Sequence, residues 1–215
     1  LEKNRIHLFI LLFAVSSLLV HVPSDAYAAA DTWTDATTTN VGTTHMRGVS
    51  MGDASNGVAV GNSGQIVYTT NGGDTWTAAT TNVGAISMRG VSMSDASNGV
   101  AVGSSGKIVY TSDGGDTWTD ATTGVGGNTL YGVSMGDANN GVAVGSAGKI
   151  VYTSDGGDTW TAATTTNAGG YQMNAVSMGD ANNGVAVGHS GQIVFAGSAS
   201  SEDSTTGEEK ESSSD

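Results

Sequence analysis

An all-β fold of repeated four-stranded antiparallel units is what this sequence predicts, on three observations. Glycine numbers 33 against one proline in 215 residues, and Thr, Ser, Ala and Val are abundant. Glycine interrupts helices, and short β-branched runs favour strands. Trp33, Trp76, Trp118 and Trp160 recur at spacings of 43, 42 and 42 residues. The stretch GVSMGDASNGVAVGNSGQIVYT from Gly48 recurs in near-copies from Gly90, Gly132 and Ala175. Tandem units of about 40–45 residues with four strands each are the signature of β-propeller blades. A β-solenoid is the competing architecture, but its coils are usually shorter and are not joined by tight hairpin turns.

The first segment, 1–28, reads as an export signal. Lys3 and Arg5 lead into the mostly apolar run Ile6–Val20, Pro23 breaks it, and Ala26-Tyr27-Ala28 offers a small-x-small cleavage site. Ala28-Ala29-Ala30 is a second choice for cleavage, and an uncleaved anchor is the alternative. Fifteen residues are short for a membrane span. The expectation is a protein exported to the periplasm or beyond the cell, without membrane insertion after cleavage. Cleavage removes two acids and two bases, so the net charge stays at −13. Nucleic acids and anionic membrane surfaces need clustered cations, so both are poor partners for this chain. Cysteine is absent, which excludes disulfides and cysteine metal sites.

The repeats fill 29–197. In the first complete unit, strand a is Gly48–Met51, DASNG turns the chain, and strand b is Val58–Val60. GNSG leads to strand c, Gln65–Thr69, and TNGG leads to strand d, Asp74–Ala79. Turns this short make neighbouring strands antiparallel. VAV and IVY are apolar on both faces, as strands are when sheets stack face to face. A lone strand d, Asp31–Ala36, precedes the first complete unit, while the last unit holds only a, b and c. Pairing the first d strand with the last c strand would close four blades into a ring and remove both sheet edges. The alternative is that these ends pair with a second chain, giving an eight-bladed homodimer. The final stretch, 198–215, is acidic with no apolar anchor and is expected to be a disordered tail.

The c–d turns carry a motif of their own. Thr111, Asp113, Gly115 and Trp118 fit the Asp-box pattern Ser/Thr-x-Asp-x-Gly-x-Thr-Trp, as do Thr153, Asp155, Gly157 and Trp160. Thr69, Asn71, Gly73 and Trp76 fit it with Asn in place of Asp. A carboxylate or amide at a turn start accepts backbone N–H groups two or three residues on. The glycine supplies φ > 0, and the Trp supplies apolar area to pin the outer strand between blades. The motif is typical of sialidase-like propellers. The whole repeat, V-S-M-x-D-x-x-N-G-V-A-V-G-x-x-G-x-I-V-Y-T-x-D-G-G-x-T-W, resembles that of photosystem II assembly and stability factors over about Asp31–Ala196. That resemblance implies an exported propeller that chaperones newly made reaction-centre protein. It also implies seven blades, against four units counted here, and an aromatic residue where this chain has Val58.

The copies differ mainly at one end. The a–b and c–d turns are nearly invariant. The opposite end, made of the b–c turns and d–a connectors, varies and includes His45, Tyr171 and His189. One equivalent position there holds Arg47, Arg89, Tyr131 and Asn174. Loops on a rigid scaffold commonly carry function, arginine suits carboxylates, and tyrosine suits interfaces. These seven residues are the candidate site for a protein partner. A structural surface repeat is the alternative function. A sialidase-like glycosidase is a weaker reading, because that chemistry uses three arginines on its substrate, while Arg47 and Arg89 are the only two after the signal. No catalytic residue, cofactor or metal is assigned. DASNG lacks the acidic spacing of a calcium loop.

Overall fold

The computed structural model describes residues 33–39, 42–164 and 169–197. The signal segment 1–28 and the tail 198–215 lie outside the described residues, as do Asp31 and Thr32.

Each repeat folds as an antiparallel meander. In blade one, β2 (Met46–Met51), β3 (Gly57–Gly61), β4 (Ile66–Thr69) and β5 (Thr75–Ala78) run from inner to outer edge, and β1 (Thr37–Thr39) lies parallel on β5. Blade two holds β6 (Met88–Met93), β7 (Gly99–Gly103), β8 (Ile108–Thr111) and β9 (Thr119–Asp120). Blade three holds β11 (Leu130–Met135), β12 (Gly141–Gly145), β13 (Ile150–Thr153) and β14 (Thr159–Ala162), with β10 (Thr122–Thr123) parallel on β14. Blade four has three strands: β15 (Met173–Met178), β16 (Gly184–Gly188) and β17 (Ile193–Ala196).

The b–c hairpins show how the sequence makes a tight turn. Ser63 and Gly64 both take left-handed φ, 54° and 73°, and the Gln65 N–H donates to the Asn62 carbonyl at 3.1 Å. Two successive left-handed residues match the twist of the flanking strands. Ser105, Ala147 and Ser190 repeat the conformation without being glycine.

The core lies between blades. Val58, Val60 and Ile66 of blade one pack with Met93, Ala101, Val109 and Trp118 of blade two. Val100, Val102 and Ile108 pack likewise with Val133, Ala143, Val151 and Trp160. Both faces of a middle blade are therefore buried, which is why its strands read apolar on both sides. Inner strands approach at backbone distance: a Cβ on Gly90 would sit 3.1 Å from the Tyr131 carbonyl oxygen. They are also tied by hydrogen bonds. The Met93, Met135 and Met178 N–H groups donate to Ser50, Ser92 and Ser134 hydroxyls of the preceding blade at 2.9–3.0 Å.

The expected closure by an N-terminal outer strand is not formed among the described residues. β17 pairs only with β16, and residues 33–36 form no strand. Among the described residues the two ends of the blade stack have no cover, with Val49 of blade one 65 % exposed and Ile193 and Phe195 of blade four each 71 % exposed.

A candidate binding face at the varied end of the blades

Backbone hydrogen bonds sort the loops into two ends. The c–d turns donate to the a–b turns through Gly72 to Ser55, Gly114 to Ser97 and Gly156 to Asn139. At the other end, Asn62, Ser104, Ser146 and His189 donate to the carbonyls of His45, Ser87, Thr129 and Gln172. Each d–a connector is thus pinned to its own b–c turn.

The uniform end is held together by its aspartates. The Asp53 carboxylate accepts the Ser55 and Asn56 N–H groups at 2.7 Å and the Asn56 amide at 3.0–3.1 Å. Asp95, Asp137 and Asp180 do the same in the other a–b turns. These donors favour the ionised form and hold Asp53 and its three counterparts below the ordinary aspartate value.

In the c–d turns, Asp113 accepts the Thr117 N–H at 3.0 Å, four residues on, rather than two or three. The Gly115 N–H goes instead to the Thr111 hydroxyl at 3.0 Å. Gly115 sits at φ 97°, and its carbonyl accepts the Trp118 indole N–H at 2.9 Å. Thr153, Asp155, Gly157 and Trp160 repeat this geometry. Asn71 keeps it in blade one: its amide oxygen accepts the Thr75 N–H, and its NH₂ donates to the Thr75 hydroxyl at 2.9 Å. Thr69, Gly73 and Trp76 complete that loop, with the Gly73 N–H on the Thr69 hydroxyl and the Trp76 indole on the Gly73 carbonyl.

The candidate partner residues occupy the other end for a local reason. Met46 pairs with Gly61 and Gly48 with Val60, so Arg47 is an extra, bulged residue. The same register shift isolates Arg89, Tyr131 and Asn174. A bulge re-aims its side chain out of the regular alternation. The four positions lie on adjacent inner strands, β2, β6, β11 and β15, and follow one another from blade to blade.

Within the row, the Arg89 guanidinium lies 5.2 Å from the Tyr131 ring centroid and its Nε donates to the Ser104 hydroxyl at 3.3 Å. Arg47 is exposed and donates to the Asn62 side chain. Asn174 accepts the Gln172 amide at 2.7 Å. Among the described residues, both arginines have neutral oxygen partners through Nε and no ion pair. His45 and His189 are exposed in blades one and four, and Tyr171 is exposed before β15. The structure joins Arg89 to Tyr131 and brings no three titratable side chains into a metal-binding cluster among the described residues.

Two further residues belong to this end. Lys107 and Lys149 follow the b–c turns at equivalent positions. Lys107 is paired with Asp120 at 2.6 Å. All four arginines and lysines among the described residues therefore sit at the varied end, whereas the a–b and c–d turns at the other end carry only acids. The repeat alignment contains this segregation. It is visible as a column reading Gln65, Lys107, Lys149, Gln192.

No family model matches the chain, and no curated protein matches it in sequence. Solved structures do. It superposes on "YCF48 from Cyanidioschyzon merolae" with TM-score 0.58 and 17 % identity, over 71 % of this chain and 50 % of that one. For "YCF48 bound to D1 peptide" the TM-score is 0.53 at 17 % identity, over 71 % and 65 %. For a GH74 enzyme of Niastella koreensis it is 0.56 at 17 % identity, over 70 % and 28 %. The chain spans one half to two thirds of the length of the first two. The likeness is one of fold, and the described residues form blades of a β-propeller.

Proposed function

We propose that this chain is an exported propeller scaffold that binds a segment of another protein, without catalysis, through the end bearing Arg47, Arg89 and Tyr131. The arrangement of Arg89 over Tyr131 carries the reading, in a row with Arg47 at the end where the described cations collect. A guanidinium backed by an aromatic face, with donors left over, recognises a carboxylate on an extended peptide. A similar propeller described with a D1 peptide bound supports peptide recognition as a use of this fold. The finer role proposed is assembly or stabilisation of a membrane or envelope complex, as the resemblance to photosystem II assembly factors implies. The GH74 likeness is the basis of the competing, catalytic reading.

Crosslinking capture from the envelope fraction of the source cells tests this, with a folded Arg47→Ala, Arg89→Ala chain beside the unchanged one. The expected result is a protein retained by the first chain that the double variant loses at least tenfold. Equal retention by both removes the varied face from the proposal, and no specific retention favours a structural surface repeat.

A further inference from the structure

The third gap between blades is unlike the other two. Trp118 fills the wedge between blades one and two, and Trp160 fills the wedge between blades two and three. Among the described residues blade four has no fourth strand, and the sequence has no Trp after Trp160. Its wedge against blade three is a cavity of about 670 Å³ lined by apolar side chains, among them Val142, Ile150, Tyr152, Val176, Met178 and Val194. Each is the repeat counterpart of a residue packed around Trp118 in the first wedge. Tyr152 shows what is missing. Its counterparts Tyr68 and Tyr110 are pushed upward in pKa by burial and by the neighbouring blade's Asp116 and Asp158 carboxylates. Tyr152 is instead 45 % exposed.

The sequence contains one more strand of the required kind. Asp31–Ala36 reads DTWTDA, the same as β9 and its lead-in, Asp116–Ala121. Trp33 stands at the position of Trp118 and Asp31 at that of Asp116, and Trp33 is 93 % exposed.

We propose that this slot takes the Asp31–Ala36 strand of a second copy of the chain. The incoming strand pairs antiparallel with β17, and Trp33 enters the wedge between blades three and four. Two observations select a second copy. The uncovered stack ends complement each other: Val49, with Trp76 half-buried at blade one, offers to Phe195 and Val185 of blade four the surfaces that join every inner pair of blades. The chain also superposes on part of longer propeller chains, spanning 65 % and 50 % of their lengths, so the likeness leaves room for blades beyond these four. Head-to-tail contact that closes after two copies gives an eight-bladed ring with no free sheet edge.

The test uses the absence of cysteine from the chain. Tyr110 pairs with Thr119 across β8 and β9, so the register places Thr34 of one copy opposite Phe195 of the other. Cross-strand Cα separations of about 4.5–5.5 Å allow a disulfide. Thr34→Cys and Phe195→Cys chains, refolded together and oxidised, are expected to yield a covalent pair that neither yields alone. The unchanged chain is expected to have twice the chain mass by light scattering, and Trp33→Ala to have the single mass with its strand circular dichroism intact. The proposal is overturned by any of three results. These are a single-copy mass for the unchanged chain at every concentration tried, an unchanged mass for Trp33→Ala, or a disulfide within one chain carrying both cysteines.

Discussion

Gly106 and Gly191 have the same place in their repeats and different surroundings. Both follow a left-handed residue in a b–c turn, at φ 71° and 73°. A Cβ on Gly106 would collide with the Gly126 carbonyl oxygen of the next connector, whereas one on Gly191 meets nothing within 4 Å. Gly106→Ala therefore suffers both left-handed strain, about 1–2 kcal/mol, and a backbone clash, while Gly191→Ala suffers the first alone. Urea unfolding should show the blade-two variant less stable than the blade-four variant by more than about 1 kcal/mol. Equal losses would mean that blade packing adds nothing at this turn. The need for glycine was legible in the repeat. The collision was not, because it comes from a connector that lies 20 residues further along the chain.

Strand d is where an element becomes part of the core. Its residues Thr117 and Thr119 are exposed on either side of the buried Trp118, so a single side chain per strand supplies most of the burial. Trp118→Ala and Trp160→Ala should each cost about 3–5 kcal/mol, the usual range for emptying a buried Trp site. Trp76 is only half-buried, so Trp76→Ala should cost less. Thermal unfolding at matched low concentration checks the ranking, and a Trp76 variant as damaged as the other two would contradict it. The strands of the first complete unit were read from sequence to within one or two residues, since hairpin turns and apolar runs are local, whereas the parallel strands β1 and β10 and the lack of a strand over 33–36 were not. The bulge that presents Arg47, Arg89, Tyr131 and Asn174 was not, because it depends on register between two strands.

Across the molecule, charge is divided between two ends, and the acidic end ties stability to pH. Asp53, Asp95, Asp137 and Asp180 are lowered by hydrogen bonds from their own turns. Burial works against Asp113, yet hydrogen bonds from Thr117 and Thr111 still hold it down, and the Thr159 hydroxyl does the same for Asp155. A carboxyl lowered on folding stabilises the fold above its unfolded value of 3.8, and the gain is lost as pH falls through the folded value. Tyr68 and Tyr110, raised by burial and by facing carboxylates, contribute below pH 10.0 and lose that contribution as pH rises through their folded values. Stability should therefore hold a plateau between about pH 5 and 9 and fall on both sides. Asp113→Asn, which imitates Asn71, should flatten the acid limb. Denaturant midpoints measured from pH 2.5 to 11 test this, and an acid limb no different in the variant would remove Asp113 from the account.

The sequence by itself determined the blade: its strand order, its turns, its Trp spacing and the end at which the repeats vary. All of these follow from contacts within about 40 residues, and four near-copies state them repeatedly. Only the tertiary structure decided what the blades do together. Val58, Val100, Val142 and Val185 stand in nearly identical sequence, yet Val58 and Val100 are fully buried and Val185 is 46 % exposed. A repeated sequence cannot distinguish a middle blade from an end blade. Whether the stack closes depends on the rotation from one blade to the next, accumulated over every interface, and on which strand fills the last wedge.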